Sequence, residues 1–274
     1  MFDLLKEFVL QIGKYALEQM AQSHQISFKE GNGALLSILT EVDLHNSRAF
    51  KNFVETHFKD LNYVIIDEES INTLEGKLFE KIENSDYQFI LDPIDGTLNY
   101  SSGLPFWGVL LAVFKKGQPL YGFIYAPALD DFVYTNGKDV FRQHFLKTQK
   151  LDLPLKRQSR VILAHPWQIK LKENHIKGKF IVEDYFSAAI CFLYLSLGQV
   201  KAVLCSANLW DIAPFIALAR VLGMGLYDYT TNNPIQITPR YFYNTGRLKN
   251  MTVMGYQDEL DEVKNTFSEI TEVS

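Results

Sequence analysis

Apolar and polar positions along the chain follow two rhythms. Within residues 3–21, Leu5, Phe8, Val9, Ile12, Ala16 and Met20 recur at helical spacing, with Asp3, Lys6 and Glu7 among them. That pattern predicts an amphipathic helix. A second helix is expected from near Asp43, because Phe50, Phe53, Val54, His57 and Phe58 repeat the same period. Two short apolar runs then end in acids, LNYVIIDEES (61–70) and YQFILDPIDGT (87–97). Both read as buried strands with carboxylates at their C-terminal ends. Residues 107–127 read as two strands around a Lys-Gly-Gln-Pro turn, and DFVYTNG (131–137) as another strand and turn.

From about 146 to 160 the chain turns polar around Pro154, which reads as a surface connection between two halves. Beyond it, RVILAHP, KFIVED and VKAVLCS look like strands. SAAICFLYLSLG (187–198) looks like a buried helix stopped at Gly198. LWDIAPFIALARVLG (209–223) reads as a helix with Pro214 in its first turn and Gly223 past its end. Helices followed by a strand-rich block, then alternating strands and helices, predict a layered α/β (α+β) protein. The expected division is an N-terminal α+β half, 1–150, and a C-terminal α/β half, 151–274.

Composition narrows the function classes. With 274 residues, 47% of them hydrophobic and 22% charged, the chain can bury a large core. The net charge is −5 and no Lys/Arg run is present, so neither nucleic acid nor an anionic membrane is expected as a partner. The longest apolar stretch, roughly 186–198, is too short to span a bilayer. The N-terminal pattern is that of a helix, not a signal peptide. Cys191 and Cys205 form neither a disulfide framework nor zinc spacing, and a cytoplasmic location is expected.

The candidate chemistry lies in the acids. FILDPIDGTLNY (89–100) places Asp92 and Asp95 at the end of an apolar run, with Pro93 between them and Gly96-Thr97 after them. Carboxylates are costly to bring together unless a cation or hydrogen-bond donors compensate them. Asp67-Glu68-Glu69, Asp211 and Asp43 share that setting, each at a strand end or helix start. Magnesium takes hard oxygen ligands beside phosphate oxygens, and converging carboxylates would supply them. An inward-turned carbonyl such as that of Ile94 would add another. A helix starting at Gly96–Thr97 would offer free amides to a phosphate. Counting from Asp92, an EF-hand loop fails at Ile94 and Gly103. No Gly-Lys-Ser/Thr P-loop is present. Asp211 and Asp43 also read as helix caps, and Ser187 as an N-cap as readily as a substrate contact.

These residues resemble the signatures of the inositol monophosphatase superfamily of Mg²⁺-dependent, lithium-sensitive phosphatases. Asp92-Pro93-Ile94-Asp95-Gly96-Thr97-Leu98-Asn99 resembles its central motif. Thr40-Glu41-Val42-Asp43, Asp67-Glu68-Glu69 and Trp210-Asp211-Ile212-Ala213 resemble its other three, in order. The resemblance implies a layered αβαβα sandwich of the inositol monophosphatase and fructose-1,6-bisphosphatase type. It also implies two or three Mg²⁺ ions held by Glu68, Asp92, the Ile94 carbonyl, Asp95 and Asp211. Thr97, Asp43 and Glu68 would serve catalysis, with Thr97 oriented by Asp43 to help activate the attacking water. Asp95, Gly96, Thr97, Ser187, Ala188 and Asp211 would contact a small polyol or sugar phosphate. A homodimer is implied as well.

Several positions depart from the pattern. Phe186 stands where the family often has glycine, Leu204 where inositol-specific members carry an acid, and Asn32 where a basic residue is common. Asp67 replaces a glycine and is expected to add an acid near the metals. The catalytic set is therefore intact while the substrate set is altered. Histidinol phosphate, a fructose bisphosphate and a 3′-phosphonucleotide stay open as substrates. So does a non-catalytic paralogue that binds a phosphorylated metabolite.

Overall fold

Alternate residues of the strand Tyr87–Asp95 feed two different helical layers. Phe89 and Leu91 pack with Leu5, Phe8, Ile12, Phe50 and Val54, whereas Ile90 packs with Ile190, Phe192, Phe215 and Leu218. A two-residue period on a strand buried on both faces does this, and it sets the architecture.

The computed structural model describes residues 1–20, 26–28, 38–155, 159–164, 169–171, 180–264 and 267–270. Its helices are α1 (Phe2–Met20), α2 (Glu41–His57), α3 (Leu78–Glu83), α4 (Thr97–Ser101), α5 (Ala188–Ser196), α6 (Leu209–Leu222) and α7 (Gln257–Lys264). The first nine strands are β1 (Ile26–Phe28), β2 (Ile38–Thr40), β3 (Tyr63–Asp67), β4 (Tyr87–Asp95), β5 (Gly108–Lys115), β6 (Gln118–Ala126), β7 (Asp131–Thr135), β8 (Val140–His144) and β9 (Lys147–Lys150). The rest are β10 (Val161–Ala164), β11 (Ile169–Leu171), β12 (Ile181–Glu183), β13 (Ala202–Cys205), β14 (Gly225–Asp228), β15 (Thr252–Gly255) and β16 (Phe267–Ile270).

Strands β3 to β9 form a seven-stranded sheet in sequence order, antiparallel except for the parallel β3–β4 pair. A five-stranded sheet has the order β12-β10-β13-β15-β14. Helices α1 and α2 cover one face of the large sheet. Helices α5 and α6 cover its other face and reach Leu163, Val203, Leu226 and Met254 of the small sheet. Leu260 and Val263 of α7 close the small sheet's outer face against Ile162, Ala202 and Val253. The order of layers is therefore αβαβα, as the resemblance implied.

Two expectations need correction. The polar stretch taken as a surface connection contains β9, which pairs antiparallel with β8. All four of its residues are exposed, because it is the sheet's edge and nothing among the described residues covers it, so no apolar alternation marks it. Pro214 lies inside α6, in its second turn, and not in the first. No helix among the described residues is long and apolar enough to cross a membrane.

Candidate active site

Asp92 and Asp95 stand three positions apart, which on a regular strand would aim them at opposite faces. The strand is not regular there. Asp92 pairs with Leu110 and Asp95 with Gly108, so β4 advances one residue more than β5 between them. Pro93, which has no N–H to give to the ladder, sits in this bulge. The extra residue turns both carboxylates to one side. The Ile94 amide donates to Asp92 Oδ1 at 3.1 Å, and the Thr97 hydroxyl donates to the Ile94 carbonyl at 3.0 Å. Gly96 then reverses the chain into α4 with φ +81°. A Cβ there would stand 3.0 Å from the Phe106 carbonyl oxygen and 3.0 Å from Ser187 Cβ, so glycine serves both the dihedral and the close approach.

The third acid arrives from α6. Asp211 is at the third position of that helix and accepts the Asn208 amide at Oδ2, 2.7 Å away. The cap residue is Asn208; Asp211 supports the helix start from within it. Asp92, Asp95 and Asp211 each offer an oxygen within 4.8 Å of the others. Glu68 follows β3, is half-buried, and its amide donates to the Leu91 carbonyl at 3.3 Å. It lines the same cavity of about 280 Å³, together with Ile94, Gly96, Thr97, Ser187 and Ala188.

A fifth carboxylate, Asp184, is also on that wall, and no Lys, Arg or His among the described residues is. Burial first, then the charges of Glu68, Asp95 and Asp211, push Asp92 well above the usual carboxylate range. Asp211 moves the same way, through burial and then Asp95 and Glu68. Burial also raises Asp95, to about 6, against the lowering pull of Ser187 and the Ala188 and Ala189 amides. Five acids facing one small volume without a cationic side chain make a donor set that fits a hard divalent ion. The thiols of Cys191 and Cys205 line the cavity too, but burial raises both, Cys205 to about 12, so neither is a nucleophile near neutrality.

Other expected residues fall around this centre. Ser187 caps α5: its hydroxyl donates to Asp95 Oδ2 and accepts the Ile190 amide at 3.3 Å. Asp43 is buried at the third position of α2 and is not on the cavity wall. It lies near Tyr100, whose phenol is pushed up by burial and then by that charge. Asp67 does not add an acid to the cavity: it is buried and accepts the Ser47 hydroxyl of α2. Trp107 and Trp210 are buried in the core and do not line the site. Asn32 lies outside the described residues.

Two contributors went unmarked in the sequence. Asp184 follows β12 in KFIVED, an acid after an apolar run like the others, and that rule applied evenly would have found it. Asn99 was visible only as a motif letter. Its buried side chain donates to the Phe106 carbonyl at 2.6 Å and the Tyr185 carbonyl at 2.7 Å, tying the segment before β5 to the segment before α5.

The Inositol monophosphatase family model matches residues 3–262. A Thermotoga maritima fructose-1,6-bisphosphatase/inositol-1-monophosphatase is 26% identical over 232 residues, 82% of this chain and 85% of the relative. The Nus factor SuhB of Escherichia coli (strain K12) is 28% identical over 216 residues, 73% of this chain and 76% of the relative. A solved IMPase/NADP phosphatase complexed with Mg²⁺ and phosphate superposes with TM-score 0.72 at 16% identity, covering 97% of each chain.

Proposed function

Because the chain belongs to the inositol monophosphatase family, we propose that it hydrolyses a small phosphate monoester in a Mg²⁺-dependent reaction. The observation that carries this reading is the convergence of Asp92, Asp95 and Asp211 within 4.8 Å on a cavity wall that has no Lys, Arg or His among the described residues. Glu68, Asp92, the Ile94 carbonyl, Asp95 and Asp211 would hold two or three ions. When bound, Mg²⁺ neutralises phosphate charge and makes a coordinated water a better nucleophile near neutral pH.

The chain's own groups do the positioning. Asp95 is fixed from behind by Ser187 and the Ala189 amide, the latter at 2.8 Å. The first-turn amides of α4 have no intrahelical partners and stand beside Gly96 and Thr97 on the cavity wall, where a phosphate oxygen would be received. Thr97 and Asp43 are the proposed pair that handles the proton of the attacking water. With the division expected at residue 150, Asp211 is the one proposed metal ligand from the C-terminal half, which also supplies Asp184, Phe186, Ser187 and Ala188 to the cavity wall. A homodimer belongs to the same reading on family grounds, and a cytoplasmic location on the cysteine usage of the sequence.

Sugar and polyol phosphates are the first substrates to test, with histidinol phosphate, fructose 1,6-bisphosphate and 3′-phosphoadenosine 5′-phosphate beside them. The test is release of inorganic phosphate by the purified protein with and without Mg²⁺. Magnesium-dependent release from at least one ester is expected. Silence across the panel, with Mg²⁺ still bound, would favour the other reading, a paralogue that binds a phosphorylated metabolite without turnover. The altered residue Phe186 in the cavity wall is what favours that alternative.

A further inference from the structure

Phe186 is the least expected residue on the cavity wall. Its backbone has φ +52°, a left-handed conformation that glycine adopts freely and that strains a bulky residue. The strain is held from three directions. The carbonyl of Tyr185 accepts from Asn99 at 2.7 Å, the Phe186 amide donates to Asp184 Oδ1 at 2.8 Å, and the Ser187 hydroxyl is fixed on Asp95. Strain of this kind persists where the surroundings over-determine it, and such places cluster at ligand sites. What the fold maintains by it is a phenyl ring, 39% exposed, on the wall of the carboxylate cavity.

The ring has apolar company. Leu163, Cys191, Phe192 and Val203 line the same cavity. Hydroxyl groups of a sugar pressed against the Phe186 ring and these four side chains would lose water without gaining partners from them; the acids and Thr97, Ser187, Ser206 and Asn208 make up the polar part of the lining. A hydrocarbon or planar ring would instead bury apolar area on both sides. A second anionic group finds no Lys, Arg or His on the wall among the described residues. The volume of about 280 Å³ is at the small end of ligand sites, which suits a compact leaving group.

We propose that Phe186 is a specificity-determining residue and selects phosphate monoesters of compact aromatic or apolar alcohols over those of polyols. The proposal rests on the phosphatase reading above and narrows its substrate class. The reaction is ordinary hydrolysis: water adds to phosphorus, the P–O bond to the alcohol breaks, and the alcohol leaves with a proton.

The experiment compares kcat/KM for phenethyl phosphate and glycerol 1-phosphate, two esters of primary alcohols, in the wild type, Phe186→Gly and Phe186→Tyr. The wild type is expected to favour phenethyl phosphate by about tenfold or more, the scale set by burying one apolar group in a pocket. In Phe186→Gly that ratio is expected to fall toward one, through a higher KM for phenethyl phosphate. In Phe186→Tyr, which keeps the ring, the preference is expected to stay. Because glycine suits the left-handed backbone, Phe186→Gly is expected to melt no lower than the wild type, which separates lost selectivity from lost folding. Glycerol 1-phosphate hydrolysed as well as phenethyl phosphate, or a ratio unmoved in Phe186→Gly, would overturn the inference and leave the phosphatase reading standing. No phosphate from any ester would overturn that reading, and the inference with it.

Discussion

The hydroxyl of Ser187 donates to a carboxylate oxygen of Asp95, 92 positions away along the chain. One contact thereby joins the end of β4 to the start of α5. The serine also caps its helix by accepting the Ile190 amide, so helix start and candidate metal ligand are held by the same oxygen. Ser187→Ala is expected to cost about 1 kcal/mol of stability from the lost cap. It is also expected to weaken Mg²⁺ binding about 10–100-fold, since a group that orients a ligand is removed. Thermal unfolding and calorimetric Mg²⁺ titration check the two effects separately. Full Mg²⁺ affinity in a destabilised variant would reduce the serine to a cap.

Asp95→Asn keeps the shape and the acceptor oxygen but removes one ligand charge. Turnover is expected to drop about 10³-fold, equivalent to about 4 kcal/mol of transition-state stabilisation. The metal-stripped variant is expected to melt at or above the wild type, because one charge leaves an overcrowded buried cluster. Phosphate release and circular dichroism melting on the same preparations test both statements.

The pH dependence of stability has a definite sign. Burial raises Asp92, Asp211 and Asp95 in the folded protein, Asp95 to about 6, above the roughly 4 of an unfolded aspartate. Groups raised in this way favour the fold below the unfolded value and lose that contribution as pH climbs through the folded values. The metal-stripped protein should therefore melt at a lower temperature at about pH 8 than at about pH 5. Added Mg²⁺ offsets the repulsion and should raise the melting temperature more at the higher pH. A Mg²⁺ shift of equal size at both pH values would contradict the assignment of these three acids.

Gly96→Ala tests the turn that delivers Asp95. The new Cβ meets the Phe106 carbonyl oxygen and Ser187 Cβ, each at 3.0 Å, at a φ of +81°. A loss of about 1–3 kcal/mol is expected from the dihedral and the contacts together. Activity should fall as well, because Asp95 and Ser187 shift with the turn. Denaturant unfolding gives the first quantity and phosphate release the second.

Much of this was legible in the sequence because it depends on local pattern. The α1 face, the apolar run into Asp92 and the stop at Gly223 announce themselves through periodicity and turn chemistry. The site acids were legible as residue types, but their convergence was not. Asp92 and Asp95 face the same way because of a bulge at Pro93, which depends on the register against β5. Asp67 looked like a neighbour of the metals and instead pairs with Ser47 behind β3, since one residue along a strand changes the face. The edge strand β9 was missed because an uncovered edge needs no apolar side. The left-handed backbone at Phe186 was invisible because nothing about a phenylalanine predicts it. It is set by what Asn99, Asp184 and Asp95 hold around it.

The most direct test of the central claim is a Mg²⁺ titration of chelator-stripped protein, following heat of binding and phosphate release from a small phosphate monoester together, with Asp95→Asn in parallel. Saturable binding that turns on phosphate release in the wild type, and fails to do so in the variant, is the predicted result. Phosphate release that is independent of Mg²⁺, or undiminished in Asp95→Asn, would contradict the account.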